Sequence, residues 1–343
     1  MDQNLLNALC LQQLTLSKVQ EPETVAVLTR GSERTDLVDA FLWAAQQLGA
    51  SAFHLRLPPS QSTSGAWEVG DSGLSRNPRA VEALKGVDMV IDLAFLLFSK
   101  EQFEIQGAGT RILTTLEIPE VLGRLMPTPE LRERVEFGVE TLQAAQSLRV
   151  TSPAGTDVTY RLGAYPTLGE YGYTDEPGRW DYWPAAFVFT GAADDGVDGT
   201  IVLSPGDILL PWNTYVQTPV TFTIEAGFIT DIRGDLDADL LSAYIKSFND
   251  PRAYGMSHVG WGLDERANWH SLAPTNAGAG MESRSFYGNV MWSIGPNNEL
   301  GGPNDTPCHF DIPMRGCSLF LDDKPIVVDG TIPIREMQPF AWR

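Results

Sequence analysis

A histidine and an aspartate two residues apart, His309 and Asp311, are the sharpest chemical signal in the 343-residue sequence. On a β-strand, residues two apart project from the same face, so the imidazole and the carboxylate would lie side by side and could bind one metal ion. His258 is a second anchor, because glycines at positions 255 and 260 flank it and let backbone or ligand approach closely. Together the three residues have the composition of a two-histidine, one-carboxylate triad, which leaves coordination positions open on Fe(II) for substrate and dioxygen.

The same three residues also have a purely structural interpretation. An aspartate two residues after a histidine commonly does no more than orient the imidazole, and spacing alone favours this alternative. The two other histidines are expected to lie outside a metal site. His270 stands in a polar, loop-like segment, where a surface or supporting position is expected, and His54 lies inside a predicted strand of the other half of the chain, where a structural role is expected.

Spacing disfavours nucleophilic and zinc-peptidase chemistry. Ser257 is not the serine of a G-x-S-x-G elbow, because the glycine that follows it is one residue too far away. Cys308 precedes His309, and neighbouring strand residues point to opposite faces, so the thiol and the imidazole cannot readily share a proton. The H-E-x-x-H sequence of zinc peptidases does not occur in the chain.

The composition limits the classes of partner. Acidic residues number 44 and basic residues 24, and the net charge of -20 repels the phosphates of nucleic acids and of anionic lipids. Three cysteines without a C-x-x-C pair do not make a disulfide framework. No stretch resembles a signal peptide or approaches the roughly 20 apolar residues of a membrane span. We therefore expect a soluble, cytoplasmic protein without nucleic-acid or membrane partners.

The first 147 residues alternate short β-branched runs with helical patterns, which predicts βαβ crossovers and a largely parallel sheet. Gly31 follows the first strand, but the further glycines of a dinucleotide-binding turn do not follow it. We predict an α/β N-terminal domain over residues 1–147. Its strands are expected at 25–29, 52–57, 87–93 and 111–116, and its helices at 34–48, 78–85, 100–106 and 129–146.

Beyond residue 147 strand signals dominate, separated by Gly, Pro, Asn and Asp turns. We predict a β-rich α+β metal-binding domain over residues 148–343, which begins with a hairpin and contains one helix at 236–248. Most of the tryptophans fall here, which suits an aromatic pocket and an ordinary β-rich core equally well. The strands are expected at 148–152, 157–162, 200–203, 208–210, 220–225, 228–232, 290–294 and 318–328.

Motifs along the whole chain resemble those of the thermophilic leucyl aminopeptidase superfamily and, within it, of the 2,5-dihydroxypyridine 5,6-dioxygenases of nicotinate degradation. The resemblance begins in the Asn/Leu-rich first helix and continues through Gly-Thr-Arg at 109–111 and Gly-Thr-Asp at 155–157. It ends with the His-x-Asp strand at 309–311 and Val-Asp-Gly at 328–330.

Three positions separate the two branches of this superfamily. The aminopeptidases hold two metal ions with further Glu and His ligands, where this chain has Phe187, His258 and Met291. Phenylalanine cannot bind a metal, so the resemblance implies a mononuclear Fe(II) site made of His258, His309 and Asp311 and disfavours a dinuclear peptidase. Phe98 stands where the dioxygenases have a histidine, which leaves the ring substrate open.

The resemblance implies that a hydroxylated N-heteroaromatic ring is opened, with 2,5-dihydroxypyridine giving N-formylmaleamate and both oxygen atoms coming from dioxygen. A base must remove the hydroxyl proton of the ring. Glu170 is our choice, because it lies in an aromatic stretch where partial burial would make it a base near neutral pH. An exposed loop carboxylate is the structural alternative for Glu170.

Further residues are predicted to contact the substrate. Ser293 would hydrogen-bond to substrate or bound oxygen, with a core serine bonded to backbone as its alternative, and Tyr182 and Trp183 would stack on the ring. Arg284, like two other arginines, could neutralise an anionic ring but is more often a surface residue. The expected partners are a small aromatic substrate, O2 and further copies of the chain in a homo-oligomer. A metallo-aminopeptidase-like hydrolase and a non-catalytic small-molecule binding protein are the alternative functions.

Overall fold

The computed structural model describes residues 3–31, 34–59, 68–272 and 280–343. The chain divides into two compact units, the first made of residues 1–65, 69–127 and 171–185 and the second of residues 66–68, 128–170 and 186–343. This division differs from a single boundary after residue 147. Residues 129–143 form a helix that packs on two strands of the second unit, and residues 180–182 form a strand of the sheet in the first unit.

The first unit is built on a five-stranded, all-parallel sheet in the order β2-β1-β3-β4-β8. Its strands are β1 (Thr24–Arg30), β2 (Ser51–Leu57), β3 (Met89–Leu93), β4 (Arg111–Thr114) and β8 (Trp180–Tyr182). Its helices are α1 (Gln3–Leu16), α2 (Thr35–Gln47), α3 (Pro78–Lys85), α4 (Lys100–Gly107) and α5 (Pro119–Arg124). The predicted α/β fold with a parallel sheet is confirmed.

Alternate residues of strand β1, which lies between β2 and β3, point into two different cores. Val25 and Val27 pack with helices α1 and α2 on one side of the sheet, whereas Ala26 and Leu28 pack with α3 and α4 on the other. The two-residue period of a strand produces this division, and burial on both faces is typical of parallel sheets. Helix α3 has the bounds predicted for it, 78–85. Two residues determine where it begins: Pro78 lies in its first turn, and the Asn77 side chain accepts a hydrogen bond from the Ala80 amide at 3.2 Å.

The second unit contains two larger antiparallel sheets. The seven-stranded sheet has the order β14-β13-β10-β6-β5-β18-β19, and the five-stranded sheet has the order β17-β16-β15-β9-β7. The strands of the first are β5 (Ser147–Thr151), β6 (Asp157–Arg161), β10 (Val197–Leu203), β13 (Val220–Glu225), β14 (Phe228–Gly234), β18 (Ser318–Leu321) and β19 (Lys324–Val327). Those of the second are β7 (Thr167–Glu170), β9 (Phe187–Thr190), β15 (Met256–Gly262), β16 (Val290–Ile294) and β17 (Phe310–Met314).

The remaining elements of this unit are short or helical. They are the strand pair β11 (Ile208–Leu209) and β12 (Thr214–Tyr215), the helices α6 (Pro129–Gln143), α7 (Leu236–Ser247) and α8 (Met281–Ser285), and 3-10 turns at Leu210–Trp212, Pro251–Tyr254, Asn298–Leu300, Arg335–Met337 and Phe340–Trp342. The predicted β-rich α+β character is confirmed. Among the described residues, none of the helices combines the length and the apolar composition that a membrane crossing requires.

One strand prediction in this unit needs correction, and three strands of the five-stranded sheet were missed. A single strand at 318–328 is wrong, because β18 and β19 form a hairpin whose two turn residues, Asp322 and Asp323, have φ values of 46° and 65°. Two consecutive residues with positive φ turn the chain back on itself and match the twist of the flanking strands. Strands β7, β9 and β15 were not predicted. The last two are buried on nearly every residue, so they lack the alternation that marks a half-exposed strand.

Candidate metal centre

Neighbouring strands of the five-stranded sheet bring the three predicted metal ligands together. His258 lies on β15, Asp311 lies on β17, and His309 immediately precedes β17, while β16 runs between the two. One ligand atom from each residue lies within 4.8 Å of the others, and all three residues are buried. His309 Nε2 is 3.2 Å and His258 Nε2 is 3.4 Å from Asp311 Oδ1. The predicted group is therefore one cluster in space.

A β-bulge turns His258 into this position. The register between β15 and β16 shifts between Met256 and Val259, which frees the His258 amide from the regular ladder. That amide donates a hydrogen bond to Ser293 Oγ at 3.1 Å instead. The contact agrees with the structural alternative for Ser293, a core serine bonded to backbone, and a role toward substrate or oxygen stays a prediction.

The buried atoms of the cluster fit a metal ion. His258 Nε2 and Asp311 Oδ1 are buried and make no hydrogen bond in the described part of the chain, although they face each other. Leaving a polar atom buried without a partner costs free energy, and a cation held between the two atoms would satisfy both. Two imidazole nitrogens and one carboxylate oxygen are the donor set of mononuclear non-haem iron sites with open positions.

Charges around the cluster favour proton binding on the histidine when no metal is present. Burial lowers the pKa of His258, but the carboxylates of Asp311 and Glu299 close to its ring outweigh burial and raise that pKa to about 9. Burial raises the pKa of Asp311, but the charges of His309 and Arg284 outweigh it and hold that pKa well below its ordinary value. Metal ligands must be deprotonated, so a metal ion would displace the proton from His258.

An arginine links the cluster to the predicted base. Arg284 Nε lies 3.4 Å from Asp311 Oδ2, and Arg284 Nη2 lies 3.3 Å from Glu170 Oε1. The side chains of all three residues are at most 10% exposed, and the guanidinium lies 5.2 Å from the centre of the Phe187 ring. Glu170 is thus a buried strand residue, and its alternative as an exposed loop carboxylate is wrong. Sequence patterns alone did not separate Arg284 from surface arginines.

An apolar wall borders one side of the histidine pair. The Phe189 and His258 ring centres are 4.9 Å apart, and Phe187 stacks on Phe189 at 5.2 Å. Met291 and Leu300 complete this cluster of buried side chains. Phe187 and Met291 occupy the positions where the peptidase pattern has metal ligands, so within the described ranges only the single cluster of His258, His309 and Asp311 could hold a metal.

The other residues singled out in the sequence lie elsewhere. Tyr182 and Trp183 belong to the first unit and are buried, with Trp183 packed edge to face on Phe41 in its core. His54 Nε2 lies 2.7 Å from Thr29 Oγ1 on the neighbouring strand, in agreement with a structural role. His270 is exposed. The roles of Tyr182 and Trp183 toward a substrate stay predictions.

Two residues, Glu299 and Phe98, add information that the sequence did not reveal. Glu299, in the short 3-10 turn before β17, places Oε1 3.3 Å from His258 Nδ1. No local pattern marks this glutamate, because 40 positions separate it from its histidine and only the folded chain joins them. Phe98 follows β3 in a left-handed conformation with φ of 62° and is buried against Val69 and Leu97.

Comparisons with known proteins show the family and the fold. The sequence model of the 2,5-dihydroxypyridine 5,6-dioxygenase family matches residues 5–333. A Pseudomonas putida KT2440 protein named 2,5-dihydroxypyridine 5,6-dioxygenase is 45% identical over 326 residues, which cover 93% of each chain.

Of two solved structures, one agrees with this family and the other shares only the fold. That of 2,5-dihydroxypyridine dioxygenase from Pseudomonas putida KT2440 has a TM-score of 0.95 and 43% identity, and covers 98% of this chain and 100% of its own. AmpT from Thermus thermophilus, at 14% identity, shares the fold with a TM-score of 0.64 over 96% of this chain and 99% of its own. The chain therefore belongs to the 2,5-dihydroxypyridine 5,6-dioxygenase family, as the motifs of its sequence predict.

Proposed function

We propose that the protein is a ring-cleaving dioxygenase that binds one Fe(II) through His258, His309 and Asp311 and converts 2,5-dihydroxypyridine into N-formylmaleamate. The observation that carries the metal site is the pair of buried atoms His258 Nε2 and Asp311 Oδ1, 3.4 Å apart and without hydrogen-bond partners among the described residues. Membership of the family supports the reaction class and the substrate.

The metal and the protein would contribute different parts of the chemistry. His258, His309 and Asp311 would hold Fe(II), which would supply the electron transfer between substrate and dioxygen that overcomes the slow reaction of a singlet ring with triplet oxygen. The three protein ligands leave room for both reactants. Phe187, Phe189 and Met291 belong to a buried apolar cluster beside the three ligands. Such an apolar surface would exclude water and so strengthen electrostatic interactions with the substrate.

Glu170 and Arg284 are the residues to which we assign proton transfer and charge balance. Glu170 would accept the hydroxyl proton of the substrate, which leaves an electron-rich, anionic ring. Arg284 holds a buried positive charge within 3.4 Å of Asp311 and 3.3 Å of Glu170, so it can offset the negative charge that the ring gains. Glu170 is preferred over other carboxylates as the base because Arg284 joins it to Asp311 of the metal cluster, which places it beside the site.

The remaining assignments follow from the sequence. We propose that Ser293 hydrogen-bonds to substrate or oxygen, in addition to its contact with the His258 amide. Tyr182 and Trp183 are proposed to stack on the ring. The substrate partners would be a small aromatic molecule and O2. We also propose a cytoplasmic location and assembly into a homo-oligomer.

An oxygen-electrode assay tests the proposal. The protein is reconstituted anaerobically with Fe(II) and mixed with 2,5-dihydroxypyridine and oxygen. We expect one oxygen consumed per pyridine lost, no reaction in His309→Ala, and unchanged reaction in the control His270→Ala, whose histidine is exposed. If iron is bound but no oxygen is consumed, 2,5-dihydroxypyridine is not the substrate. Activation by zinc or cobalt without oxygen consumption would instead favour the hydrolase alternative.

A further inference from the structure

We propose that Glu299 is a positioning residue, which fixes the orientation and tautomer of His258 and thereby sets the affinity of the site for its metal. Glu299 Oε1 lies 3.3 Å from His258 Nδ1, the ring nitrogen opposite the one that faces Asp311. The His258 side chain is 2% exposed and that of Glu299 is 12% exposed. This inference rests on the metal site of the proposed function.

The surroundings of His258 Nδ1 require a hydrogen on that nitrogen. Its two oxygen neighbours are Glu299 Oε1 at 3.3 Å and Ser257 Oγ at 3.4 Å. The Ser257 hydroxyl donates its own hydrogen to the Pro296 carbonyl oxygen, so toward His258 it can only accept. An ionised carboxylate also only accepts. Both neighbours therefore select the tautomer with hydrogen on Nδ1 and the lone pair on Nε2, directed at Asp311.

Glu299 depends on this contact as much as His258 does. Its Oε1 is buried and accepts no hydrogen bond of good geometry in the described segments, so the imidazole Nδ1 at 3.3 Å is the nearby donor that could pair with it, and a buried carboxylate oxygen is costly unless it is paired. The next residue, Leu300, is buried in the apolar cluster with Phe187 and Phe189, which holds the 3-10 turn in place. The packed 3-10 turn therefore holds the Glu299 carboxylate close to the His258 imidazole.

The second histidine provides an internal contrast. His309 Nδ1 lies 3.2 Å from the backbone carbonyl of Ile294, a neutral acceptor. His258 instead has a charged acceptor, and a carboxylate behind a metal-bound histidine orients the ring and makes it a more basic ligand. Loss of such a partner typically costs about 10–100-fold in metal affinity. We infer that the carboxylate behind His258 contributes to affinity in this way.

Cobalt binding to the metal-free, full-length protein tests this role without any assay of activity. The dissociation constant for Co(II) is measured by competition with a chromophoric chelator at pH 7.5. Glu299→Gln keeps the size of the side chain and an oxygen acceptor but removes the charge, and we expect it to weaken binding by about 10-fold or more. Glu299→Asp retains the charge and should recover part of the loss. Asp305→Asn is the matched control, since it removes one charge from an exposed position of the same loop.

A structural signature accompanies the affinity. With ¹⁵N-labelled histidine and Zn(II) in the site, the Nδ1–H resonance of His258 should shift in Glu299→Gln and stay unchanged in Asp305→Asn. Affinity of Glu299→Gln within about twofold of the parent, or equal weakening in Asp305→Asn, would overturn the role of Glu299 and leave the metal site standing. Failure of the parent to bind cobalt, or undiminished binding in His258→Ala, would overturn the metal site and this inference together.

Discussion

Arg284 is a buried cation between two buried carboxylates, and we predict that Arg284→Met strongly destabilises the metal-free protein. The guanidinium lies 3.3 Å from Glu170 and 3.4 Å from Asp311. At an effective dielectric constant of about 20, each contact is worth roughly 5 kcal/mol of attraction. Desolvation of the arginine offsets much of this attraction, but methionine would leave both carboxylates buried without it. Removing one partner of a buried ion pair costs about 3–5 kcal/mol.

Thermal unfolding of the metal-free protein measures this effect. For a folding unit of some 200 residues, about 3–5 kcal/mol corresponds to a fall in Tm of roughly 10 °C. Adding Glu170→Gln to Arg284→Met should recover about half of the loss, because one of the two carboxylates that lose the guanidinium is then neutral. Arg149→Met is the control: its pair with Asp157 is exposed on both sides, and its loss should not change Tm measurably. A fall below about 3 °C for Arg284→Met, or no recovery in the double variant, would refute the reasoning.

Two further predictions concern the pH dependence of metal binding and the packing of the second unit. Because the pKa of His258 is raised to about 9, a metal ion must displace a proton from His258 at any pH below that value. The dissociation constant for Co(II) should therefore fall about tenfold for each pH unit between pH 7 and 9. A dissociation constant that does not change with pH would argue against His258 as a ligand. Gly169→Ala should lower the free energy of unfolding by about 1–3 kcal/mol in urea, because its Cβ would lie 2.6 Å and 2.7 Å from methyl groups of Val139 and Val135. Gly107→Ala, whose Cβ would meet no atom within 4 Å, should have no such cost, and equal losses in both variants would contradict the packing argument.

The sequence predicted the fold where local patterns control it. In the first unit, strands alternate with helices of ordinary length, and turn residues such as Gly49 and the prolines at 58 and 59 mark where elements end. Parallel strands buried on both faces still stand out there because helical patterns separate them. In the second unit, nearly every residue of β9 and β15 is buried, so neither strand shows the alternation of apolar and polar residues that marks a half-exposed strand. No helical pattern next to them in the sequence marks where they begin and end.

The cluster of His258, His309 and Asp311 was predictable, whereas the residues around it were not. His309 and Asp311 are neighbours in sequence, and histidine is so rare in this chain, with four residues, that His258 was an obvious third member. Arg284 and Glu299 reach the site from α8 and from the turn before β17. Their contacts depend on how sheet and loops pack, which no spacing in the sequence encodes. The β-bulge at His258 is likewise visible only in the register of the folded strands.

Anaerobic titration with Fe(II) tests the central claim most directly, because it measures how many metal ions the chain holds and which residues hold them. We expect one iron per chain in the parent and in the control His270→Ala, whose histidine is exposed. We expect loss of tight binding in His258→Ala, His309→Ala and Asp311→Ala. Two irons per chain, or undiminished binding in any of the three ligand variants, would contradict a mononuclear site made by these residues.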